Sequence, residues 1–382
     1  MSKGTSDQLR IGVVGCGSIS LAYLRNAPLF HGVRIVACAD LNPAAAKEKA
    51  EAFGLQALDS DQLIKSPSVD LVLNLTVPSA HFEISMRALN EGKHVFTEKP
   101  LSATAKEGRM LVETAEKYGL VIGSAPDTFL GAAGRHARML VESGKIGMPV
   151  IGTAFMMGRG MEHWHPDPGF YYQPGGGPVL DMGPYYLSML VNLIGPIRRV
   201  HAIATSAYPE RLITAEGPRK GTRVPVATPT SLLSLLEFAS GVKITFGASW
   251  DVFRHSNRPI ELHGTEGSIG LPDPDNFSGI VSLSDHGGPW SNVDTSALPF
   301  GALNWPAEAP DRGNYRMLGL ADLAAGLREG RKPRVSGDLA LHVLEVMEAI
   351  LTAGESGGPQ DIAPTSCRPE ALPEEDARKL LA

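Results

Sequence analysis

An apolar stretch that runs straight into closely spaced glycines admits few folds, and residues 9–20, LRIGVVGCGSIS, are such a stretch. Leu9 to Val14 reads as a buried strand, and the spacing Gly15-x-Gly17-x-x-Ser20 then opens a helix. Gly15 permits a tight turn, Gly17 lets another surface approach the backbone, and the helix start turns N–H groups and a positive dipole end toward an anion. Asp40 ends the second apolar run twenty residues after Ser20. There a carboxylate accepts hydrogen bonds from the ribose diol of an adenine dinucleotide and repels a 2′-phosphate. The pattern predicts a site for NAD, preferred over NADP, built on Gly15, Gly17, Ser18, Ile19 and Asp40. Ser20 stands where glycine or alanine is usual, a small departure that close helix–strand packing can tolerate. A plain glycine turn, with Asp40 as a surface strand end, is the alternative reading.

The rhythm of the first 126 residues places the motif in a fold. Residues 33–40, 70–77, 93–99 and 120–126 are further short apolar runs, continuous rather than alternating, as in strands buried on both faces. Between them, residues 42–54, 79–92 and 102–119 read as helices stopped by glycine, the first opened by Asn42-Pro43. Alternating strands and helices specify a doubly wound parallel sheet of the Rossmann type. A first domain over residues 1–126 and a second over 127–382 are expected. In the second, SLLSLLEF and GVKITFGASWDV alternate polar with apolar, 262–272 reads as a hairpin, and two amphipathic helices lie late in the chain. That half is expected to be α+β on an antiparallel or mixed sheet. The polar, proline-bearing tail beyond Gly357 is expected to be loosely ordered.

Composition excludes several classes. With 43% hydrophobic and 20% charged residues the 382-residue chain is that of an ordinary globular protein, and a formal charge of −6 without basic clusters argues against nucleic-acid or anionic-lipid partners. Cys16, Cys38 and Cys367 have no CxxC spacing, so neither a disulfide framework nor a structural zinc site is expected. The amino terminus lacks a secretory h-region and no apolar run is long enough for a membrane span, which fits a reducing cytoplasm.

At Glu98-Lys99-Pro100, directly after an apolar run, the chain resembles the glucose-fructose oxidoreductase/inositol dehydrogenase/rhizopine catabolism family, Gfo/Idh/MocA. The likeness continues through TVPSAH (76–81), GGGPVLDMGPYY (175–186) and GTEGSIGLP (264–272), so it spans most of residues 9–350. It implies a Rossmann domain followed by a domain on a large open sheet, use of NAD or NADP, and oxidation or reduction of sugars, polyols and their relatives. It implies pairing into homodimers or homotetramers. It also implies that Lys99 is catalytic. The residue's own chemistry agrees. At the carboxyl end of a parallel strand its ammonium is placed to hold a substrate hydroxyl and favour a developing alkoxide, and Pro100 biases it toward an extended backbone. A solvated strand-end lysine is the alternative. Thr76, Pro78 and His81 would follow a strand end beside the cofactor, with Glu98 and Lys99; for His81 a purely helix-start role is an equal explanation.

Asp181 and Tyr185 stand four apart, on one face of a helix expected to begin near Asp181, with Pro184 in its first turn. Alcohol oxidation needs a base for the hydroxyl proton. The family commonly has Asp-x-Gly-x-His here; this chain has Asp181-Met182-Gly183-Pro184-Tyr185, so tyrosine replaces histidine, as in some members. A tyrosine titrates near 10 unless a cation such as Lys99 lowers it. Tyr185 is read as the acid/base, Lys99 as its electrostatic partner and Asp181 as an anchor for a substrate hydroxyl; a cap and packed rings are the structural alternative, and Tyr186 is the weaker candidate. In the loop MEHWHPDPGFYY (161–172), Trp164 or Phe170 is suited to a sugar's apolar face while His163 and His165 bind hydroxyls. A metal held by Glu162, His163 and His165 is the weaker reading and none is expected. Asp127 and Phe129 are placed at the pocket border, and Arg316 is read as a solvated helix residue. The expected activity is NAD-dependent hydride transfer to or from a carbohydrate-like hydroxyl or carbonyl. An enzyme that keeps its nucleotide and cycles it, and a non-catalytic NAD sensor, are the alternatives.

Overall fold

A computed structural model describes residues 8–365 and 367–382. The chain divides into two compact units. The first comprises the described residues up to Arg135, Ser296–Leu344 and Pro369–Ala382; the second comprises His136–Thr295 and the described residues of Glu345–Arg368.

In the first unit, β1 (Leu9–Val14), β2 (Val33–Ala39), β3 (Gln56–Ala57), β4 (Leu71–Asn74), β5 (His94–Thr97) and β6 (Ile122–Ser124) form a sheet in the order β3-β2-β1-β4-β5-β6. Every pairing in it is parallel. This is the expected doubly wound sheet. Between the strands run α1 (Ser20–Asn26), α2 (Pro43–Phe53), α3 (Ser60–Lys65), α4 (Pro78–Asn90) and α5 (Ala105–Lys117). Their ends follow local chemistry. The Asn42 side chain accepts from Ala44 N–H and Gly54 closes α2 in the left-handed region, while Thr104 and Glu107 form a reciprocal capping box at α5. Strand order reverses between β1 and β4, and in open α/β sheets the crevice at the carboxyl ends of such a pair is where ligands bind.

The chain continues through α6 (Ala132–Glu142). In the second unit, β7 (Pro149–Met157), β8 (Ile197–Thr205), β9 (Glu210–Leu212), β10 (Arg223–Pro225), β11 (Ser231–Phe238), β12 (Lys243–Ser249), β13 (Ile260–Gly264), β14 (Gly267–Leu271), β15 (Ile280–Asp285), β16 (Ser291–Asp294) and β17 (Gln360–Asp361) follow. Among the described residues nine of these make one sheet, ordered β16-β15-β14-β13-β7-β12-β11-β8-β17, with β9 and β10 a separate ribbon. Only β7 and β12 pair parallel, so the sheet is mixed and mostly antiparallel, as expected. Its two faces differ. Leu232, Leu236 and Phe238 of β11 are buried, while Leu233, Leu235, Ile203 and Ile151 on the other side are 41–76% exposed. The long helix α7 (Pro178–Ile194) packs on β7, β11 and β12.

Three helices complete the chain: α8 (Leu318–Glu329), α9 (Gly337–Ser356) and α10 (Glu374–Leu380). In the first unit α8 packs on β6 and β2, and α10 packs on α8. The expectation of a loosely ordered tail is corrected here: Cys367, Leu372, Ala377 and Leu380 are buried, Gln360–Asp361 joins the nine-stranded sheet, and Leu381 forms a bridge with Phe30. Spaced apolar residues within polar sequence gave this segment enough surface to bury. No helix of the described residues is long and apolar enough to cross a membrane.

Candidate functional site

The glycine loop lies at the sheet's reversal. Gly15 has φ +104°, and a Cβ there would meet Leu75 O at 2.5 Å, so only glycine lets the loop turn against the end of β4. Gly17 has open space instead, with nothing within 4 Å of a Cβ, and Gly17 and Ser18 are exposed while Ile19 is half-buried. Ser20 is buried, its hydroxyl donating to Gly17 O at 2.7 Å, which explains how serine serves at the third position. Asp40 ties the loop to β2: one carboxylate oxygen accepts from Cys16 N–H at 2.7 Å and the other from Asn42 N–H at 2.8 Å. Half-buried, it keeps lone pairs for further donors. A loop with an exposed Gly17–Ser18 tip, backed by a carboxylate, fits a dinucleotide.

Lys99 follows β5 and is held by buried polar groups. The Glu98 carboxylate, 8% exposed, accepts from Lys99 N–H and from Tyr23 O–H, each at 2.9 Å. The Lys99–Pro100 peptide is cis. His81 is fully buried in α4, its Nδ1 2.7 Å from Pro100 O and its Nε2 3.0 Å from Thr76 O. Burial pushes its pKa down while the two carbonyls push it up. The net shift is downward, so the neutral ring is favoured and donates to one of the two carbonyls at a time, tying the Lys99–Pro100 turn to the Thr76 turn. Thr76 is half-buried and Pro78 exposed. Asn74 organises this turn and was missed: it accepts from Thr76 O–H at 2.6 Å and donates to His81 O and Ser85 Oγ, both at 3.1 Å. A lone amide in the apolar run DLVLNLTV was its available signal. Asp127 and Phe129 are each 1% exposed, and the Asp127 carboxylate accepts from Gly319 N–H at 2.9 Å. Burial pushes its pKa up to about 6.

Asp181 and Tyr185 belong to the second unit, in α7. The helix begins at Pro178, earlier than expected, so Pro184 sits in its interior rather than its first turn. A proline there cannot bond the carbonyl of Leu180, four residues back. Gly175 and Gly177 have φ +90° and +93°, and a Cβ on Gly176 would collide with Phe170 O and Tyr171 O. The glycines thus fold the chain tightly back before α7. Asp181 is half-buried and Tyr185 is 7% exposed, four residues apart on one helical face. Tyr186 turns to the sheet, its hydroxyl donating to Phe155 O at 3.3 Å.

A cavity of about 330 Å³ in the second unit is lined by His163, Trp164, Met182, Tyr186, Trp250 and Asp273, with Phe155 and Met157 of β7 and the basic Arg159 and His255. Trp250 Nε1 and His163 Nδ1 are buried without a hydrogen-bond partner among the described residues, and such atoms gain about 1–3 kcal/mol each from a ligand that satisfies them. Burial pushes the Asp273 carboxyl up. Trp164 is 55% exposed; His165 lies edge-on to Trp164, Phe170 and Tyr171 at 5.3–5.5 Å and so sits within an aromatic cluster. Glu162 accepts from Tyr172 O–H and pairs with Arg211 at 3.2 Å. Arg159, Met182, Trp250, His255 and Asp273 were not legible in the sequence, because only tertiary folding gathers them.

Residues 9–125 match the family model described as an oxidoreductase family with an NAD-binding Rossmann fold, and residues 135–270 match the GFO/IDH/MocA C-terminal domain. The dTDP-3,4-didehydro-2,6-dideoxy-alpha-D-glucose 3-reductase of Streptomyces violaceoruber is 30% identical over 268 residues, 69% of this chain and 72% of that protein. The levoglucosan dehydrogenase of Pseudarthrobacter phenanthrenivorans is 28% identical over 289 residues, 68% of this chain and 73% of that protein. Among solved structures, levoglucosan dehydrogenase in complex with NADH and L-sorbose shares the fold, with a TM-score of 0.80 at 22% identity over 94% of this chain and 100% of that one.

Proposed function

The chain belongs to the Gfo/Idh/MocA family of oxidoreductases, and we propose that Lys99, Asp181 and Tyr185 carry its NAD-dependent hydride transfer at a sugar or polyol carbon. The observation that carries this reading is the brace of Glu98, Tyr23 and His81 that holds the Lys99–Pro100 turn after β5. A reaction site requires a group held in place before substrate arrives, and buried hydrogen bonds supply that.

Bound NAD would supply the hydride acceptor, held by Gly15, Gly17, Ser18 and Ile19 with Asp40 on the adenosine ribose; Thr76, Pro78, His81 and Glu98 shape the neighbouring turns. Asp40 favours NAD over NADP, since a second carboxylate-facing phosphate is repelled. Tyr185 takes the hydroxyl proton during oxidation and returns it during reduction. The Lys99 ammonium favours both the tyrosinate and the developing alkoxide. Asp181 accepts a second hydroxyl and fixes which carbon reacts. Substrate is received by the cavity of the second unit, where Trp164 offers an aromatic face and His163 and Trp250 offer polar edges, with His165 packed against Trp164.

The exposed apolar side of the nine-stranded sheet, where Ile203 and Leu233 are cross-strand neighbours, supports a homodimer or homotetramer. The buried cysteines Cys16, Cys38 and Cys367 suit a reducing cytoplasm. The test is NADH formation by the purified protein with aldoses, polyols and inositols, in parallel with NAD and NADP. Turnover with NAD supports the reading, and bound NAD without turnover of any member overturns it.

A further inference from the structure

The segment 314–319 returns to the first unit and carries Arg316. Asn314 is pinned: its carbonyl accepts from Asn26 Nδ2 at 2.9 Å and Asn304 Nδ2 at 3.0 Å, and its N–H donates to Asn304 Oδ1 at 2.7 Å. At the other end Gly319 donates to Asp127 at 2.9 Å, and a Cβ there would lie 3.0 Å from the Phe96 ring of β5. Between these anchors Arg316 donates its N–H to Asn314 Oδ1 at 3.2 Å, and Met317, fully buried, adopts φ +115°. A non-glycine residue in that region is strained, persists only where its surroundings over-determine it, and concentrates at functional sites. The strain is spent immediately after the arginine.

The surroundings of Arg316 are acidic. Tyr23 and Asp127 are buried, and Glu98 adds negative charge to both; the Arg316 guanidinium opposes the upward push that burial gives each of them. Glu98 in turn holds the backbone of Lys99. Glu98 thus ties the Lys99 backbone to Tyr23, and the Arg316 charge acts on Tyr23 and on Asp127, which follows β6. Arg316 is half-buried and precedes α8, so it is not the solvated helix residue expected.

We propose that Arg316 is a second cation of the reaction site, which with Lys99 stabilises the negative charge that develops on the substrate oxygen. The proposal rests on the hydride-transfer reading. In oxidation the carbinol C–H pair leaves as hydride to NAD, the hydroxyl proton goes to the side-chain base, and the oxygen carries the charge until the carbonyl forms. Two cations share that charge, and a guanidinium holds it in fixed geometry.

The test compares wild type, Arg316→Ala, Arg316→Gln and Arg316→Lys, using the panel member that wild type turns over best. NADH affinity is read by fluorescence and kcat with and without 100 mM guanidinium chloride. The expected result is a fall in kcat of about 100-fold or more for Arg316→Ala, with NADH affinity within about twofold of wild type and at least a tenfold recovery on adding guanidinium. Arg316→Gln, with donors and no charge, is expected to fall at least tenfold and serves if the alanine variant does not fold. Arg316→Lys is expected to keep more activity than either. Unchanged kcat in Arg316→Ala or Arg316→Gln overturns the proposal while leaving the hydride-transfer reading intact. Lost NADH affinity with no rescue assigns Arg316 to folding and overturns it too. A wild type that turns over nothing overturns the hydride-transfer reading itself, and this proposal with it.

Discussion

Two glycines in one loop make opposite predictions. Alanine at Gly15 must adopt φ +104° and place its Cβ 2.5 Å from Leu75 O and 2.9 Å from Thr76 N. The backbone conformation costs about 1–2 kcal/mol and the overlap about 1–3 kcal/mol, so Gly15→Ala is expected to lose about 2–5 kcal/mol of stability or to displace the loop. Alanine at Gly17 meets nothing within 4 Å and has no unfavourable φ, so the fold has no reason to object. What it removes is the room for a phosphate, and a tenfold or greater loss of NADH affinity, at least about 1.4 kcal/mol, is expected. Urea denaturation and NADH fluorescence titration on the three proteins separate the effects. Gly17→Ala with wild-type NADH affinity and wild-type stability refutes the assignment of this loop to the pyrophosphate.

Three further outcomes follow from the site. Tyr185→Phe is expected to lower kcat by about 10²–10⁴ while NADH binding persists; undiminished activity in steady-state assays removes the tyrosine from proton transfer. Asp40→Ser removes the carboxylate that faces a 2′-phosphate, and the ratio of kcat/KM for NADP over NAD is expected to rise at least tenfold; an unchanged ratio places the discrimination elsewhere. The Asp127 carboxyl is raised from 3.8 to about 6, so the neutral acid is favoured in the folded state. That stabilisation is complete below pH ~4 and is lost as pH rises through ~6, a change of about 3 kcal/mol. Asp127→Asn, whose amide oxygen can still accept from Gly319 N–H, is expected to abolish that decline in urea midpoints between pH 4 and 8. A wild-type profile that is flat over this range contradicts it.

The first unit was legible because parallel strands buried on both faces read as continuous apolar runs, and glycine and proline punctuated the helices between them. The short α3 was missed although its capping box, Asp59 with Gln62, was present, because six residues hold too few turns for periodicity to show. The start of α7 was misjudged, since Pro178 and Pro184 are both compatible with a first turn and only the structure shows which one occupies it. Nothing local marks the return of residues 296–344 and 369–382 to the first unit. Motifs exposed the glycine loop and the Lys99 turn. The supports of that turn, Tyr23 and Asn74, lie far from it in the chain and become its neighbours only through strand order.

The central claim is that a hydride passes directly between a carbohydrate carbon and the nicotinamide. It is tested most directly by incubating the protein and NAD with the best substrate of the panel, deuterated at the carbon to be oxidised, and weighing the nucleotide product by mass spectrometry. The account predicts one deuterium per NADH formed, with both product and label lost in Lys99→Ala despite retained NADH binding. NADH that forms without deuterium, or label transfer undiminished in Lys99→Ala, would contradict it.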